Sequence, residues 1–254
     1  MGNLLFNNIN FSLVKGADIQ EREMHDYHEL LFYLGGGIAL KTEKFTEKLS
    51  KNSLIFIPKG KFHVFTLKNN QDFERLKISI PDQKHLSLLP KEFFENVNVL
   101  TSPNELVLSL LKKSCDLLNK EEQSNADGLF LYGALLTILC EFSNSANDFR
   151  YTKQAKPIIA NCIKYIENNL SNDLSVQTIS EKLNFSASLL THSFKKEMGI
   201  SIHSYIVQKR LIYARKLLLE NYTPTEVYEA CGYSNYSSFY KAYLKMFGTS
   251  PKMK

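Results

Sequence analysis

The sequence predicts an α+β protein of two domains, with a β-rich N-terminal part followed by helices and an all-α C-terminal part. Short apolar runs bounded by Gly, Pro or Asn recur about every ten residues in the first eighty positions, which is typical of an antiparallel sandwich or small barrel. Helical spacing replaces this pattern after Pro81. The segment from Phe194 to Ser201 recurs at an offset of 49 residues, from Tyr243 to Ser250. This repeat predicts two similar helical units in the C-terminal part.

Composition narrows the classes of protein. The 254 residues are 44% hydrophobic and 22% charged, which is enough for a folded core and excludes a globally disordered chain. The four cysteines are scattered without a C-x-x-C pair, so we expect a reducing compartment and neither a zinc ribbon nor a disulfide framework. No signal peptide is visible, and the longest uncharged apolar stretch, 128–140, is too short to span a bilayer. We therefore expect a cytoplasmic protein that has no membrane partner.

Positive charge is concentrated in the last hundred residues. Residues 153–254 contain 14 Lys or Arg against 7 Asp or Glu, whereas residues 1–152 contain 17 against 19. A basic segment joined to a near-neutral one indicates a polyanion partner for the second part only.

The β-rich part contains four clear strand patterns and is followed by two helices. The strands are expected at 30–34, 38–40, 53–57 and 62–67, and the helices at 104–119 and 127–143. The second helix is apolar on most sides, so it must be buried in its own domain or against a partner chain. The segment from Phe142 to Lys156 contains a run of small polar residues and is predicted to be an interdomain linker.

Capping residues divide the last hundred residues into helices. We expect N-caps at Ser175, Ser186, Ser201, Thr223 and Asn235, and left-handed C-caps at Gly199 and Gly248. The helix from Ser201 to Glu220 would span about 30 Å, close to the roughly 34 Å that separates successive major grooves on one side of DNA. Two helix-turn-helix units joined by this helix would therefore reach adjacent grooves.

Ordered motifs connect this part of the chain, residues 157–251, to a known family. They are Leu189-Leu190-x-x-x-Phe194-Lys195-Lys196-x-x-Gly199, Tyr205, Arg210-Leu211-x-x-Ala214-x-x-Leu217-Leu218, Gly232-Tyr233-Ser234-Asn235-x-Ser237-x-Phe239-Tyr240-Lys241-x-Tyr243 and Gly248-Thr249-Ser250-Pro251. They resemble the DNA-binding domain of the AraC/XylS family of bacterial transcription regulators. Tyr228 and Ser238 depart from the residues usual there. The resemblance implies a homodimeric, sequence-specific activator that binds double-stranded operator DNA and has RNA polymerase as a further partner.

Helical periodicity assigns the side chains of the two recognition helices. Leu190 and Phe194 should face the core of the first unit, and Phe239 and Tyr243 that of the second. The outward side chains, which can bond to base edges or phosphates, are Ser188, Thr191, His192, Lys195, Tyr236, Ser237, Tyr240 and Lys241. Each of these eight is alternatively an ordinary solvated helix position. Arg210, in the connecting helix, is expected to pair with a carboxylate.

Two N-terminal segments, His25-Asp26-Tyr27-His28-Glu29 and Pro58-Lys59-Gly60-Lys61-Phe62-His63, resemble the cupin-type barrel that many members of the family carry. Cupins hold a metal with His and Glu from the first motif and His from the second. In a regular strand, however, His28 points away from both His25 and Glu29, so we expect no shared metal face, no bound cofactor and no catalytic residue. We expect instead an effector pocket lined by His28, Phe32, His63 and Phe65. The resemblance allows a sugar among the effectors.

Together these features predict a cupin-like effector-binding and dimerisation domain at 1–146 and an AraC-type DNA-binding domain at 157–254. Residues 104–143, including Leu131 and Leu135, are expected to build the dimer interface. Two alternatives remain open, namely a metal-dependent cupin enzyme fused to a DNA-binding domain and a regulator whose barrel binds no ligand. No nucleophile elbow, P-loop or dinucleotide motif is present, so we expect that the protein is not an enzyme.

Overall fold

The chain divides into two compact units, Met1–Lys153 and Gln154–Lys254. A computed structural model describes residues 3–15, 22–35, 38–67, 74–81, 86, 89–145 and 153–252. The division falls inside the predicted linker from Phe142 to Lys156, whose middle, 146–152, lies outside the described residues. The two units correspond to the β-rich and the helical parts of the sequence.

The first unit consists of two β-sheets and two long helices. The strands are β1 (Asn3–Phe6), β2 (Ile9–Lys15), β3 (Arg22–Glu23), β4 (His28–Gly35), β5 (Ile38–Thr42), β6 (Phe45–Leu49), β7 (Leu54–Ile57), β8 (His63–Leu67), β9 (Glu74–Ile80), β10 (Asn98–Leu100) and β11 (Lys153–Gln154). One sheet has the order β1-β2-β9-β4-β7-β10, and the other has the order β11-β6-β5-β8-β3. The four predicted strands are confirmed as β4, β5, β7 and β8, and the predicted α+β architecture is confirmed with them.

Strand β4 separates two apolar layers, because successive side chains of a strand point to opposite faces. Leu30 and Phe32 lie in one core with side chains of the helices α1 (Glu105–Leu118) and α2 (Asn125–Asn144). Leu31 and Tyr33 lie in a second core that includes Leu40 of β5. Both faces of β4 are therefore buried, which explains why its sequence is continuously apolar and does not alternate.

Helix α2 is a packing helix of the first unit. It is 20 residues long and begins at a capping box formed by Ser124 and Asp127. By length and composition alone this helix could cross a membrane. The uncharged stretch at 128–140, on which the sequence-based expectation rested, is shorter than the helix itself. Its side chains Leu135, Leu139 and Phe142 lie in the same core as the six-stranded sheet. A helix that is packed in a protein core can have the same length and composition as a membrane-spanning helix.

The second unit begins at Gln154, the last residue of β11, and within the described residues it contains six helices. The helices are α3 (Pro157–Glu167), α4 (Val176–Leu183), α5 (Ala187–Met198), α6 (Ile202–Leu219), α7 (Pro224–Ala230) and α8 (Tyr236–Phe247). All five predicted N-caps are confirmed, since each side chain accepts a hydrogen bond from the backbone N–H three residues later. Gly199 and Gly248 end α5 and α8 with φ of 72° and 68°, as expected for left-handed caps.

The predicted inward faces of the two recognition helices are also confirmed. Leu190 and Phe194 of α5 are fully buried, and Phe194 packs edge-on against Tyr205 of α6 at 5.5 Å between ring centroids. Phe239 and Tyr243 of α8 are buried in a separate cluster with Leu211 of α6. Helix α6 thus contributes to the cores of both helix-turn-helix units.

Arg210 fastens the turn that follows α3 to the helix α6. Its Nε donates a hydrogen bond to the carbonyl oxygen of Leu170 at 2.9 Å, and its Nη2 donates to that of Asn172 at 2.8 Å. The expectation of a carboxylate as its hydrogen-bond partner is wrong. Leu170 and Asn172 lie in the turn beyond the end of α3, and their backbone carbonyl oxygens accept the hydrogen bonds of the guanidinium.

Gly232, in the turn after α7, lies against the same contact. Its φ of 72° is in the left-handed region, and a Cβ atom there would lie 2.7 Å from both Arg210 Nη2 and the carbonyl oxygen of Leu170. A larger residue would therefore push apart the first helix-turn-helix unit and the turn that leads into α8.

We predict that Gly232→Ala destabilises the protein much more than Gly248→Ala. Both positions have positive φ, which costs an alanine about 1–2 kcal/mol, but among the described residues no atom that a Gly248→Ala substitution would meet lies within 4 Å of the added Cβ. The clash at Gly232 adds roughly 1–3 kcal/mol of overpacking. Urea unfolding of the full chain, followed by circular dichroism, measures both. Equal losses of unfolding free energy in the two variants would contradict this prediction, because they would show that the Arg210 contact shifts to accommodate the added Cβ without cost.

Candidate functional site

Helix α5 presents one exposed polar stripe. Ser188, Thr191, His192 and Lys195 are all exposed, and their spacing of three and four residues places them on a single face. Together with two neighbouring residues they line a surface groove of about 630 Å³. The stripe combines hydroxyl, imidazole and ammonium groups, which are the groups that bond to base edges and phosphates.

Helix α8 presents a more aromatic surface. Tyr236, Ser237, Tyr240 and Lys241 are exposed, and the rings of Tyr236 and Tyr240 lie 6.1 Å apart. Tyr228 of α7 packs edge-on against Tyr236 at 5.9 Å. The tyrosine that departs from the family pattern therefore supports one of the predicted DNA-facing side chains.

The two recognition helices carry excess positive charge. Helix α8 contains Lys241 and Lys245 and no acidic residue, and α5 contains Lys195 and Lys196. The one carboxylate of α5, that of Glu197, pairs with Lys156 at 2.6 Å. The lysines of both helices thus remain available to a polyanion.

The structure does not bring the four expected effector-pocket residues to one wall. His28 stacks on Phe56 at 5.7 Å, and Phe32 lies in the same core between the six-stranded sheet and the helices. His63 and Phe65, whose rings are 5.9 Å apart, lie on the opposite side of β4, where Phe65 joins the core between the two sheets. The alternation of β4 separates the two pairs.

A different polar cluster forms on the inner side of β4. Nε2 of His63 lies 3.5 Å from Oε2 of Glu29, and Nε2 of His25 lies 3.6 Å from the same oxygen. All three residues are buried, and one possible ligand atom from each lies within 4.8 Å of the other two. Nζ of Lys77 pairs with the second oxygen of Glu29 at 2.9 Å.

The sequence reasoning missed His25 because it treated 25–28 as regular strand. Strand β4 begins only at His28, so alternation does not govern His25. The backbone N–H of Gly60 donates to the carbonyl oxygen of His25 at 2.8 Å, which ties this segment to the turn that leads to His63. The sequence feature that could have indicated this contact is the turn at Pro58–Gly60, which brings the second motif beside the first.

Two members of the cluster, Glu29 and His63, have shifted pKa values. Burial raises the pKa of Glu29, but hydrogen bonding and charge interaction with His25, followed by the charges of Lys77 and His63, outweigh burial and hold this pKa well below its usual range. Burial lowers the pKa of His63 to about 4 despite the nearby Glu29 carboxylate. At neutral pH, Glu29 is therefore ionised and His63 is uncharged.

Comparison with known proteins agrees with the helical part of this description. A family model described as a helix-turn-helix domain matches residues 179–253. The chain is 28% identical over 230 residues to the probable transcriptional regulator LumQ of Photobacterium leiognathi, covering 89% of this chain and 88% of that protein. It is 30% identical over 103 residues to the xylose operon regulatory protein of Escherichia coli K12, covering 40% of this chain and 26% of that protein.

Among solved structures, ToxT from Vibrio cholerae is similar over 96% of both chains, at 10% identity and a TM-score of 0.42. The chain thus spans most of LumQ but only about a quarter of the xylose regulator. The family-model match begins in α4 and includes both recognition helices. The match assigns an AraC-type helix-turn-helix domain to residues 179–253, and the relatives named transcriptional regulators agree with a DNA-binding transcription regulator.

Proposed function

We propose that the chain reads its operator by placing α5 and α8 in successive major grooves. The observation that carries this proposal is the pair of exposed, cationic helix faces at either side of α6. Helix α6 has 18 residues and a length of about 27 Å, close to the spacing of about 34 Å between successive grooves.

The side chains divide by chemistry into two roles. His192, Ser188 and Thr191 can bond to base edges, whereas Lys195 and Lys241 can reach guanine or phosphate. Tyr236, Ser237 and Tyr240 offer hydroxyl groups and ring faces to the second groove. We assign all eight residues to the DNA interface.

We predict that His192→Ala and Lys241→Ala weaken binding to the specific operator more than binding to random DNA. A lost base contact costs about 1–3 kcal/mol, whereas a lost phosphate contact weakens all sequences alike. Fluorescence anisotropy with both DNAs at fixed salt measures this difference.

Lys164→Ala is the matched control for Lys241→Ala, because Lys164 is an exposed lysine on α3, which is not one of the two recognition helices. It removes the same charge and should leave the ratio of specific to random binding unchanged. If all three variants lose affinity equally on both DNAs, His192 and Lys241 contact only the backbone of the DNA.

We further propose that the protein acts as a homodimer through α1 and α2. The side chains expected at the interface, Leu131 and Leu135, are each only 1% exposed inside their own unit, so they are core residues. The exposed apolar side chains are Leu106 of α1, at 50%, and Leu129 and Leu136 of α2, at 64% and 36%. Leu129 and Leu136 are seven residues apart and share one face of α2, which offers an apolar surface to a second copy.

We predict that Leu129→Glu and Leu136→Glu give folded monomers at concentrations where the wild type is dimeric. A charge on this face would be buried without a partner in the dimer, whereas in the monomer it faces water. Sedimentation velocity reports the oligomeric state, and circular dichroism the fold. Leu131→Glu, on the buried face of the same helix, should instead disrupt folding. A wild type that sediments as a monomer at micromolar concentration would contradict the dimer.

We assign effector binding to the first unit and activation, through RNA polymerase, to the full-length protein in the cytoplasm. The support is the buried polar cluster around Glu29, which a purely structural sandwich does not need. The match to the xylose regulator covers too little of that protein to name a sugar. The named relatives are regulators and give no support to the enzyme alternative, so we propose a non-enzymatic role. Thermal-shift screening of the full chain tests effector binding, because a ligand of the native state raises its stability.

A further inference from the structure

We propose that the ring of Tyr236 recognises the methyl group of a thymine in the groove occupied by α8, and that Tyr228 is a positioning residue that holds this ring in place. The proposal rests on the placement of α8 in a major groove, which belongs to the proposed function. It goes further by naming the chemical group of the DNA that is read and by adding a residue of α7 to the determinants of specificity.

Tyr236 is the first residue of α8, the second recognition helix. Asn235 caps this helix, and its side chain accepts a hydrogen bond from the backbone N–H of Ser238 at 2.8 Å. In helix-turn-helix proteins, the N-terminal residues of the recognition helix contact the base edges. Tyr236 is 39% exposed, so one part of its ring is open to a ligand and the other part is packed.

Three aromatic rings surround the packed part of Tyr236. The ring of Tyr228 lies edge-on against it, with centroids 5.9 Å apart and planes 76° apart. The ring of the fully buried Phe239 lies 6.0 Å away, and that of Tyr240 lies 6.1 Å away. These separations fall within the range of about 4.5–7 Å in which aromatic pairs attract one another. The ring of Tyr236 is therefore oriented by the protein itself.

Tyr228 is in turn fixed through its ring, its hydroxyl group and its backbone. The ring packs against the core of the second helix-turn-helix unit, and the hydroxyl donates a hydrogen bond to Oε1 of Glu229 at 3.0 Å. The backbone N–H of Tyr233, in the turn before α8, donates to the carbonyl oxygen of Tyr228 at 3.0 Å. Because the hydroxyl bonds to Glu229, the contact with Tyr236 is made by the ring, which a phenylalanine would retain.

An oriented aromatic ring suits one group of the major groove in particular. The base edges there present hydrogen-bond donors and acceptors, and the C5-methyl of thymine is the apolar group among them. Contact between this methyl group and the ring removes apolar surface from water. A tyrosine whose ring is already oriented also loses little conformational entropy on binding. A phosphate oxygen would instead accept a hydrogen bond from the hydroxyl of Tyr236, so a phenylalanine at this position separates the two contacts.

The test uses the duplex that the purified full chain selects from a random-sequence DNA library. Each thymine of this duplex is replaced in turn by uracil, which removes only the methyl group and keeps the base pairing. We expect uracil at one position to weaken binding by about fourfold, the effect of losing one buried methyl group. In Tyr236→Ala the same replacement should have no effect, because the contact is already lost.

The other variants separate the ring of each tyrosine from its hydroxyl. Tyr236→Phe and Tyr228→Phe should keep the preference for thymine over uracil at this position, because both rings remain. Tyr228→Ala should lose the preference although Tyr236 is unchanged, since its ring is no longer held. Circular dichroism checks the fold of each variant. Loss of the preference in Tyr236→Phe would overturn the contact with the ring. A Tyr228→Ala variant that weakens binding but keeps the preference would overturn the positioning role.

Tyr222→Ala is the matched control, because Tyr222 is also an exposed tyrosine, at 48%, and lies in the turn from α6 to α7. It should leave the preference for thymine unchanged. If the parent chain selects no preferred duplex, the proposed operator recognition is contradicted, and the thymine contact with it. If it selects one in which no uracil replacement has an effect that depends on Tyr236, only the thymine contact is overturned, and the proposed DNA-binding role of α5 and α8 stands.

Discussion

The first unit depends on the alternation of β4 between two buried environments. His28 and Glu29 are neighbours in sequence, yet one lies against phenylalanine rings and the other among two histidines and a lysine. A shift of this strand by one residue would exchange these environments and place a carboxylate in an apolar core. The apolar residues that follow, Leu30 to Tyr33, prevent that shift, because both of their faces are buried.

The second unit depends on a different constraint, the sharing of α6 by two small cores. Leu211 contributes to the core around Phe239, and Tyr205 to that around Phe194. Neither core is large, so the orientation of one recognition helix relative to the other is set along a single helix and reinforced by Arg210. The proposed placement of α5 and α8 in successive grooves requires a fixed separation, and the Arg210 contact helps to keep it fixed.

The sequence predicted the helical part better than the sheets because its signals are local. A cap such as Thr223 acts through atoms three residues away, and the inward positions follow from helical spacing. Strands such as β2 and β9 pair residues that are 59 to 69 positions apart, and no local pattern reveals which partners meet. His25 shows the same limit, because its approach to His63 depends on a turn at Gly60 and on a strand that starts later than expected. Leu131 and Leu135 were placed at an interface because an apolar helix does not reveal which of its faces the neighbouring sheet covers.

Helix α6 also restricts how this regulator can diversify. Each residue added to a helix rotates everything beyond it by about 100° and advances it by about 1.5 Å. In the proposed binding mode, a single insertion between Arg210 and α7 would therefore turn α8 away from the groove next to that of α5, with the helix itself intact. If α5 and α8 read the operator as proposed, exchange of their exposed side chains can change the operator sequence, whereas the distance between the two DNA segments that they contact is fixed by the length of α6.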